Sequence, residues 1–177
     1  MQPADHSPPP ILTRRLELQP WTREELLADL ANMPPAARAE VSPEWLRAVE
    51  TSPAHDPWIH GFKVIHRESG GVVGRCGFKG PPDAEGVVEI AYGIEPEQQS
   101  RGFATEATAA LASHAFSQPL VRLVRAHTLP QPNASTRVLE KCGFTRIGEV
   151  QDPEDGSVWR WERRRPSAGT PPDHGRG

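Results

Sequence analysis

Residues 87–116, VVEIAYGIEPEQQSRGFATEATAALASHAF, constrain the fold more than any other part of the chain. The apolar, β-branched run 87–94 stops at Glu95-Pro96, and an alanine-rich helical segment follows from about 102 to 116. Between them Gln99, Gly102 and Ala104 stand in the spacing Q-x-x-G-x-A. A helix entered from so short a loop has first N–H groups with no partners inside the helix, at the positive end of its dipole. Gly102 has no Cβ and Ala104 keeps the next position small, so a large anion can approach the backbone. The loop alone reads equally as an ordinary helix cap. Neither G-x-x-x-x-G-K-[ST] nor G-x-G-x-x-G occurs in the chain.

The flanking sequence supplies the rest of a sheet. Leu12, Leu16 and Leu18 predict an opening strand, and GFKVIHRES and VVGRCGF around Gly70-Gly71 predict a hairpin. VRLVRAHTL, GFTRIGEV and SVWRWERR predict three more strands, the last two joined by DPEDG. Thr22 with Glu25 forms a capping box ahead of REELLADLANM, Ser42-Pro43 opens a short helix, and Asn133 caps NASTRVLEKC, which ends at Gly143. Consecutive hairpins with one β-α-β step imply an α/β (α+β) fold. Its mixed, mostly antiparallel sheet has about six to seven strands, with helices on both faces.

A net charge of −3 makes no global case for nucleic acid or a membrane surface. Cys76 and Cys142 form neither a C-x-x-C pair nor a metal-ligand spacing, as expected of reduced thiols in a cytoplasmic protein. MQPADHSPPP has no apolar stretch of the kind a signal peptide carries. Residues 1–10 and 166–177, rich in proline and glycine, read as flexible tails around a domain at 11–165. His60 and His66 could share a strand face, but no third ligand is placed by spacing, so no metal is expected.

With these residues in order, the chain resembles the GCN5-related N-acetyltransferase (GNAT) superfamily. Gln99-Ser100-Arg101-Gly102-Phe103-Ala104 matches the family's Q/R-x-x-G-x-G/A loop. NASTRVLEKCGF resembles its second cofactor motif at Asn133, Ser135, Lys141, Gly143 and Phe144. LTRRLELQPWTREEL is similar to the opening of the branch that acetylates N-terminal residues of ribosomal proteins. The resemblance implies acetyl-CoA as co-substrate and direct transfer to an amine. Strands 87–94 and 121–128 would splay apart. The pantetheine arm would bond to backbone at Tyr92, Gly93 and Ile94, the pyrophosphate would rest on Gln99 to Thr105, and Asn133 would face the arm.

An amine must lose a proton before it attacks, and Glu89 breaks the apolar run 87–94 where the resemblance places the thioester. Glu89 reads either as that base, directly or through water, or as a solvent-facing strand carboxylate. Many relatives have a tyrosine where this chain has Leu139, and the chain's one tyrosine is Tyr92. Ser135 resembles the serine that the ribosomal-protein branch uses near the thiolate; it also suits a helix's first turn. Trp159 and Trp161 are candidates for core packing or for an acceptor wall. Three functions remain: an N-acetyltransferase acting on a protein N-terminus or small amine, a non-catalytic acyl-CoA sensor, and a nucleic-acid binder using RWERRR at 160–165. The last lacks a binding motif. Exposed strand edges would allow a homodimer.

Overall fold

The computed structural model describes residues 7–167. The expectation of flexible tails concerns segments that mostly lie outside those residues. The strands are β1 (Ile11–Leu12), β2 (Leu16–Pro20), β3 (Phe62–His66), β4 (Val72–Phe78), β5 (Val87–Ile94), β6 (Leu123–Thr128), β7 (Thr145–Asp152) and β8 (Gly156–Arg164). They form one sheet in the order β1-β2-β3-β4-β5-β6-β8-β7. Only the β5–β6 pair is parallel. The helices are α1 (Arg23–Asn32), α2 (Pro35–Ala39), α3 (Pro43–Thr51), α4 (Pro57–His60), α5 (Phe103–Ser117) and α6 (Ala134–Lys141).

The sheet has eight strands rather than six or seven because the opening strand is broken. Thr13 turns the chain. Its N–H donates to the Leu16 carbonyl at 2.9 Å, and its hydroxyl accepts from the Leu16 N–H at 2.9 Å. β1 then folds back on β2, pairing Ile11 with Leu18. The single-turn helices α2 and α4 are too short to leave a periodic signal. The pair His60–His66 is also corrected. His60 ends α4, buried, with Nε2 2.7 Å from the Ser52 hydroxyl, whereas His66 ends β3 beside Ser69.

Alternation along the strands places helices on both faces. Phe62, Val64, Cys76, Phe78, Val88 and Ile90 join Phe103, Ala107 and Leu111 of α5 in the main core. On the opposite face Lys63 reaches Glu25 of α1 at 3.1 Å and Arg75 reaches Asp29 at 3.0 Å. Leu26, Leu30 and Val49 form a smaller core where α1 meets α3.

Helix α4 lies almost against β4. Gly61, which ends it, has φ +68°, and a Cβ there would stand 2.7 Å from the Cys76 carbonyl oxygen. Gly61→Ala therefore combines left-handed strain with a backbone clash. It should cost about 2–3 kcal/mol and lower Tm by roughly 5–10 °C. A thermal melt unchanged within a degree would show that α4 can lift off the sheet freely.

Candidate active site

Residues 99–102 form a tight loop with two left-handed positions, and 103–105 are the first residues of α5. Ser100 has φ 62° and Gly102 φ 80°, and Gly102 is the N-cap of α5 with no capping side chain. A non-glycine residue in this region costs about 1–2 kcal/mol, which marks a conformation the surroundings impose. The first intrahelical bond of α5 runs from the Glu106 N–H to the Gly102 carbonyl, so the N–H groups of Phe103, Ala104 and Thr105 have no partner from the turn before them. Gln99 ties the loop to β5 through its side-chain amide, which donates to the Ile94 carbonyl at 3.0 Å. Arg101 donates to Gln98 at 2.6 Å and lies 4.7 Å over the Phe103 ring. The Phe103 side chain itself is buried in the core, so only its backbone can face an anion.

Arg15, from the turn between β1 and β2, completes the loop. Its guanidinium donates to the Arg101 carbonyl at 2.8 Å and to Glu106 of α5 at 2.8 Å, and sits 4.8 Å from the Phe103 ring centre. Glu106 also accepts from the Thr13 hydroxyl at 2.6 Å and from the Arg15 N–H at 2.7 Å. Burial pushes the Glu106 carboxyl up, but these hydrogen bonds outweigh it and hold the group below the usual carboxylate range.

A cleft opens from the centre of the sheet toward this loop. β5 and β6 pair only at Val87–Leu123, Val88–Val124 and Glu89–Arg125. Beyond Glu89, β5 keeps its bonds to β4 while β6 turns its remaining residues to β8. Tyr92 reaches from β5 to the first turn of α6, where its hydroxyl donates to the Ser135 carbonyl at 3.3 Å. Burial pushes the Tyr92 phenol up to about 12, so it keeps its proton at neutral pH. The Asn133 side chain accepts from the Thr136 N–H at 3.0 Å as the α6 cap, with Ser135 the second residue of the helix. α6 is tied to α5 by the Cys142 thiol, which donates to the Thr105 carbonyl at 3.4 Å.

At the point of divergence stands Glu89. One carboxylate oxygen is 2.9 Å from His127 Nδ1 and 3.2 Å from Lys79 Nζ. Arg160 donates to His127 Nε2 at 3.2 Å, so the ring proton is on Nδ1 and is donated to Glu89. Burial would lower the Lys79 ammonium, but the adjacent carboxylate outweighs it and holds the group above its ordinary range, charged at neutral pH. Beside this network lies a cavity of about 790 Å³ between β4, β5 and the helices α1, α3 and α4. Lys79, Tyr92 and Gly93 enter its lining, as do Trp21 and Trp45. Trp159 and Trp161 do not. Trp161 is in the core, its N–H on Thr128 at 3.1 Å, and Trp159 stacks under Arg146 at 4.2 Å.

Within the basic run at 160–165, Arg160 and Arg165 are occupied internally. Arg160 holds His127, Glu162 takes Arg125 at 2.8 Å, and Arg165 donates to the Val121 and Gln118 carbonyls at 2.6 Å. Among the described residues, no group of three or more His, Cys, Asp or Glu side chains could hold a metal ion, and no helix is long and apolar enough to cross a membrane.

Comparison with known proteins gives the chain's class. The family described as "Acetyltransferase (GNAT) domain" matches residues 15–145, and the chain belongs to this family. The uncharacterized N-acetyltransferase p20 of Bacillus licheniformis is 29% identical over 93 residues, 52% of this chain and 52% of p20. The chain thus matches about half the length of such curated relatives. Among solved structures, aminoglycoside acetyltransferase AAC(6')-Ib in complex with coenzyme A and kanamycin superposes with a TM-score of 0.64, at 19% identity, over 85% of this chain and 95% of that one. A putative ribosomal-protein-serine acetyltransferase from Vibrio cholerae does so at 0.63, with 19% identity, over 93% and 99%. At these identities the likeness speaks for the fold.

Because the Glu106 carboxyl is depressed in the folded state, its stabilising contribution is complete above the ordinary glutamate range, near ~4.3, and is lost as pH falls through the folded value. Glu106→Gln should lower Tm by roughly 2–6 °C at pH 7. The gap to the parent should narrow as pH falls below that range. A gap independent of pH in parallel melts would remove the carboxylate's charge from the account.

Proposed function

We propose that this chain is an acetyl-CoA-dependent N-acetyltransferase that moves an acetyl group directly from the thioester to a primary amine. The supporting observation is the divergence of β5 and β6, which starts at Glu89 and leads to the loop Gln99–Thr105. In this reading the pyrophosphate takes the N–H groups of Phe103, Ala104 and Thr105, with Gln99, Ser100, Arg101 and Gly102 giving the loop its shape. The unpaired edge of Tyr92, Gly93 and Ile94 faces the pantetheine arm, and the Asn133 side chain flanks it with the amide group that the helix cap leaves over.

Acetyl-CoA supplies an activated acyl group, so the protein's task is to place an amine, take its proton and ease the departure of sulfur. We assign the proton to Glu89, directly or through one water. Lys79 and His127 fix the carboxylate, and a rigid base needs no reorganisation at the moment of reaction. As the C–N bond forms and the C–S bond breaks, the amine proton passes to Glu89. The leaving sulfur takes a hydrogen bond from the Ser135 hydroxyl, and the Tyr92 phenol, whose proton is donated to the Ser135 carbonyl, holds that turn in place. The two unpaired, buried cysteines agree with a reducing cytoplasm.

Two measurements test the assignment. Acetyl-CoA at about 100 times its Kd should stabilise the chain by about 2.7 kcal/mol, a rise in Tm of roughly 5–10 °C. No shift at millimolar acetyl-CoA would reject acyl-CoA binding altogether. Glu89→Gln should keep that shift and lose ~10²–10⁴-fold in kcat. Parent-like turnover in the variant would leave Glu89 a strand carboxylate. Acetyl-CoA binding without turnover on any amine would favour a sensor.

A further inference from the structure

The cavity beside Glu89 carries information about the acceptor, given the acetyltransferase reading above. Its volume of about 790 Å³ is that of a small-molecule site. Trp21, Trp45, Ala48 and Ile59 are among the apolar residues of its lining. The Trp45 N–H is already donated to the Ile59 carbonyl at 3.0 Å, so the indole has only carbon surface to offer a ligand. Two cations enter the lining, Arg75 and Lys79. They stand on β4 and just beyond its end, four residues apart and so roughly 13 Å along the strand. Lys79, bound to Glu89, marks the reactive end and Arg75 the far end.

The carboxylates nearest these cations are taken. Asp29 holds Arg75 at 3.0 Å, and Glu89 is held by Lys79 and His127. Asp29 and Glu89 stand behind the lining; the acidic side chains in the lining itself are Glu44 and Glu154, both exposed. A polyamine with one nitrogen at Glu89 would set further ammonium groups against aromatic carbon, against Arg75, or at Glu44 and Glu154, which are exposed and where an ion pair adds little. An ammonium removed from water without a partner is strongly disfavoured. An apolar body in the same place gains from burial.

We infer that the acceptor is a monoamine whose nitrogen is carried on a large apolar body, not a polycation. The chemistry is shared by a free arylalkylamine and by a peptide whose first side chain is large and apolar.

The full chain is assayed for thiol release from acetyl-CoA with phenethylamine, tryptamine, peptides beginning with Phe and with Ser, spermidine and kanamycin. Apolar-bodied amines should exceed both polycations by at least ~100-fold in kcat/KM. The better of phenethylamine and the Phe-peptide identifies the source. Ala48→Phe narrows the cavity away from the loop 99–105. It should raise KM for the preferred amine by about 10-fold while leaving the acetyl-CoA shift in Tm intact. That shift also reports whether the variant folds, and the panel on the parent stands without it. Three results overturn the inference: a polycation or the Ser-peptide as best acceptor, no turnover of any apolar amine by a chain that binds acetyl-CoA, or an unchanged KM in folded Ala48→Phe. Absence of the acetyl-CoA shift in the parent would instead mean that the acetyltransferase reading has failed, and the inference with it.

Discussion

Three paired residues join the two halves of this sheet. Val87, Val88 and Glu89 meet Leu123, Val124 and Arg125, and among the described residues no other strand pair connects the amino-terminal strands to the carboxy-terminal ones. The joint is strengthened just before it begins, where the N–H groups of Arg122 and Leu123 both donate to the Gly86 carbonyl at 2.7 and 3.2 Å. A longer pairing would close the cleft, and a shorter one would let the halves separate. The joint is parallel, so a crossover must link its strands, and that crossover is the loop 99–102 followed by α5. Sheet continuity, the cleft and the loop 99–102 therefore share one topological cause.

Glu89 is the last β5 residue in the joint, and side chains from separate elements converge on it. Lys79 comes from the end of β4, His127 from β6 and Arg160, through His127, from β8. A strand carboxylate with only solvent around it would sample several rotamers. This one is held between two donors. The neighbouring cavity has its two cations, Arg75 and Lys79, already paired to Asp29 and Glu89, and takes its own carboxylates from the exposed Glu44 and Glu154.

What was legible in the sequence was local. The Thr22–Glu25 capping box, the Asn133 cap, the hairpin at Gly70 and the strand–loop–helix run from 87 to 117 each depend on residues a few positions apart. What was not legible depends on distant partners. Arg15 and Thr13 matter because they meet Glu106 more than ninety positions later, and that contact goes with the break between β1 and β2. Lys79 and His127 carry no motif. Only the register of β4, β5 and β6 brings them to Glu89. Trp159 and Trp161 were candidates for an acceptor wall because their spacing is right for a strand face. Trp21 and Trp45 line the cavity instead, through the packing of α1, α3 and α4, which no periodicity encodes.

The strand that completes the chain's ordered sheet is an interior one, since β8 lies between β6 and β7. During synthesis, β6 and β7 emerge before the strand that belongs between them. Until β8 is available, His127 lacks Arg160, Thr128 lacks the Trp161 indole and Arg125 lacks Glu162. Contacts of such sequence separation form late. The nascent chain would thus acquire the loop 99–102 before it could assemble the group that holds Glu89, and a ribosome stalled short of residue 156 would carry an incomplete Glu89 network with an exposed, unpaired edge.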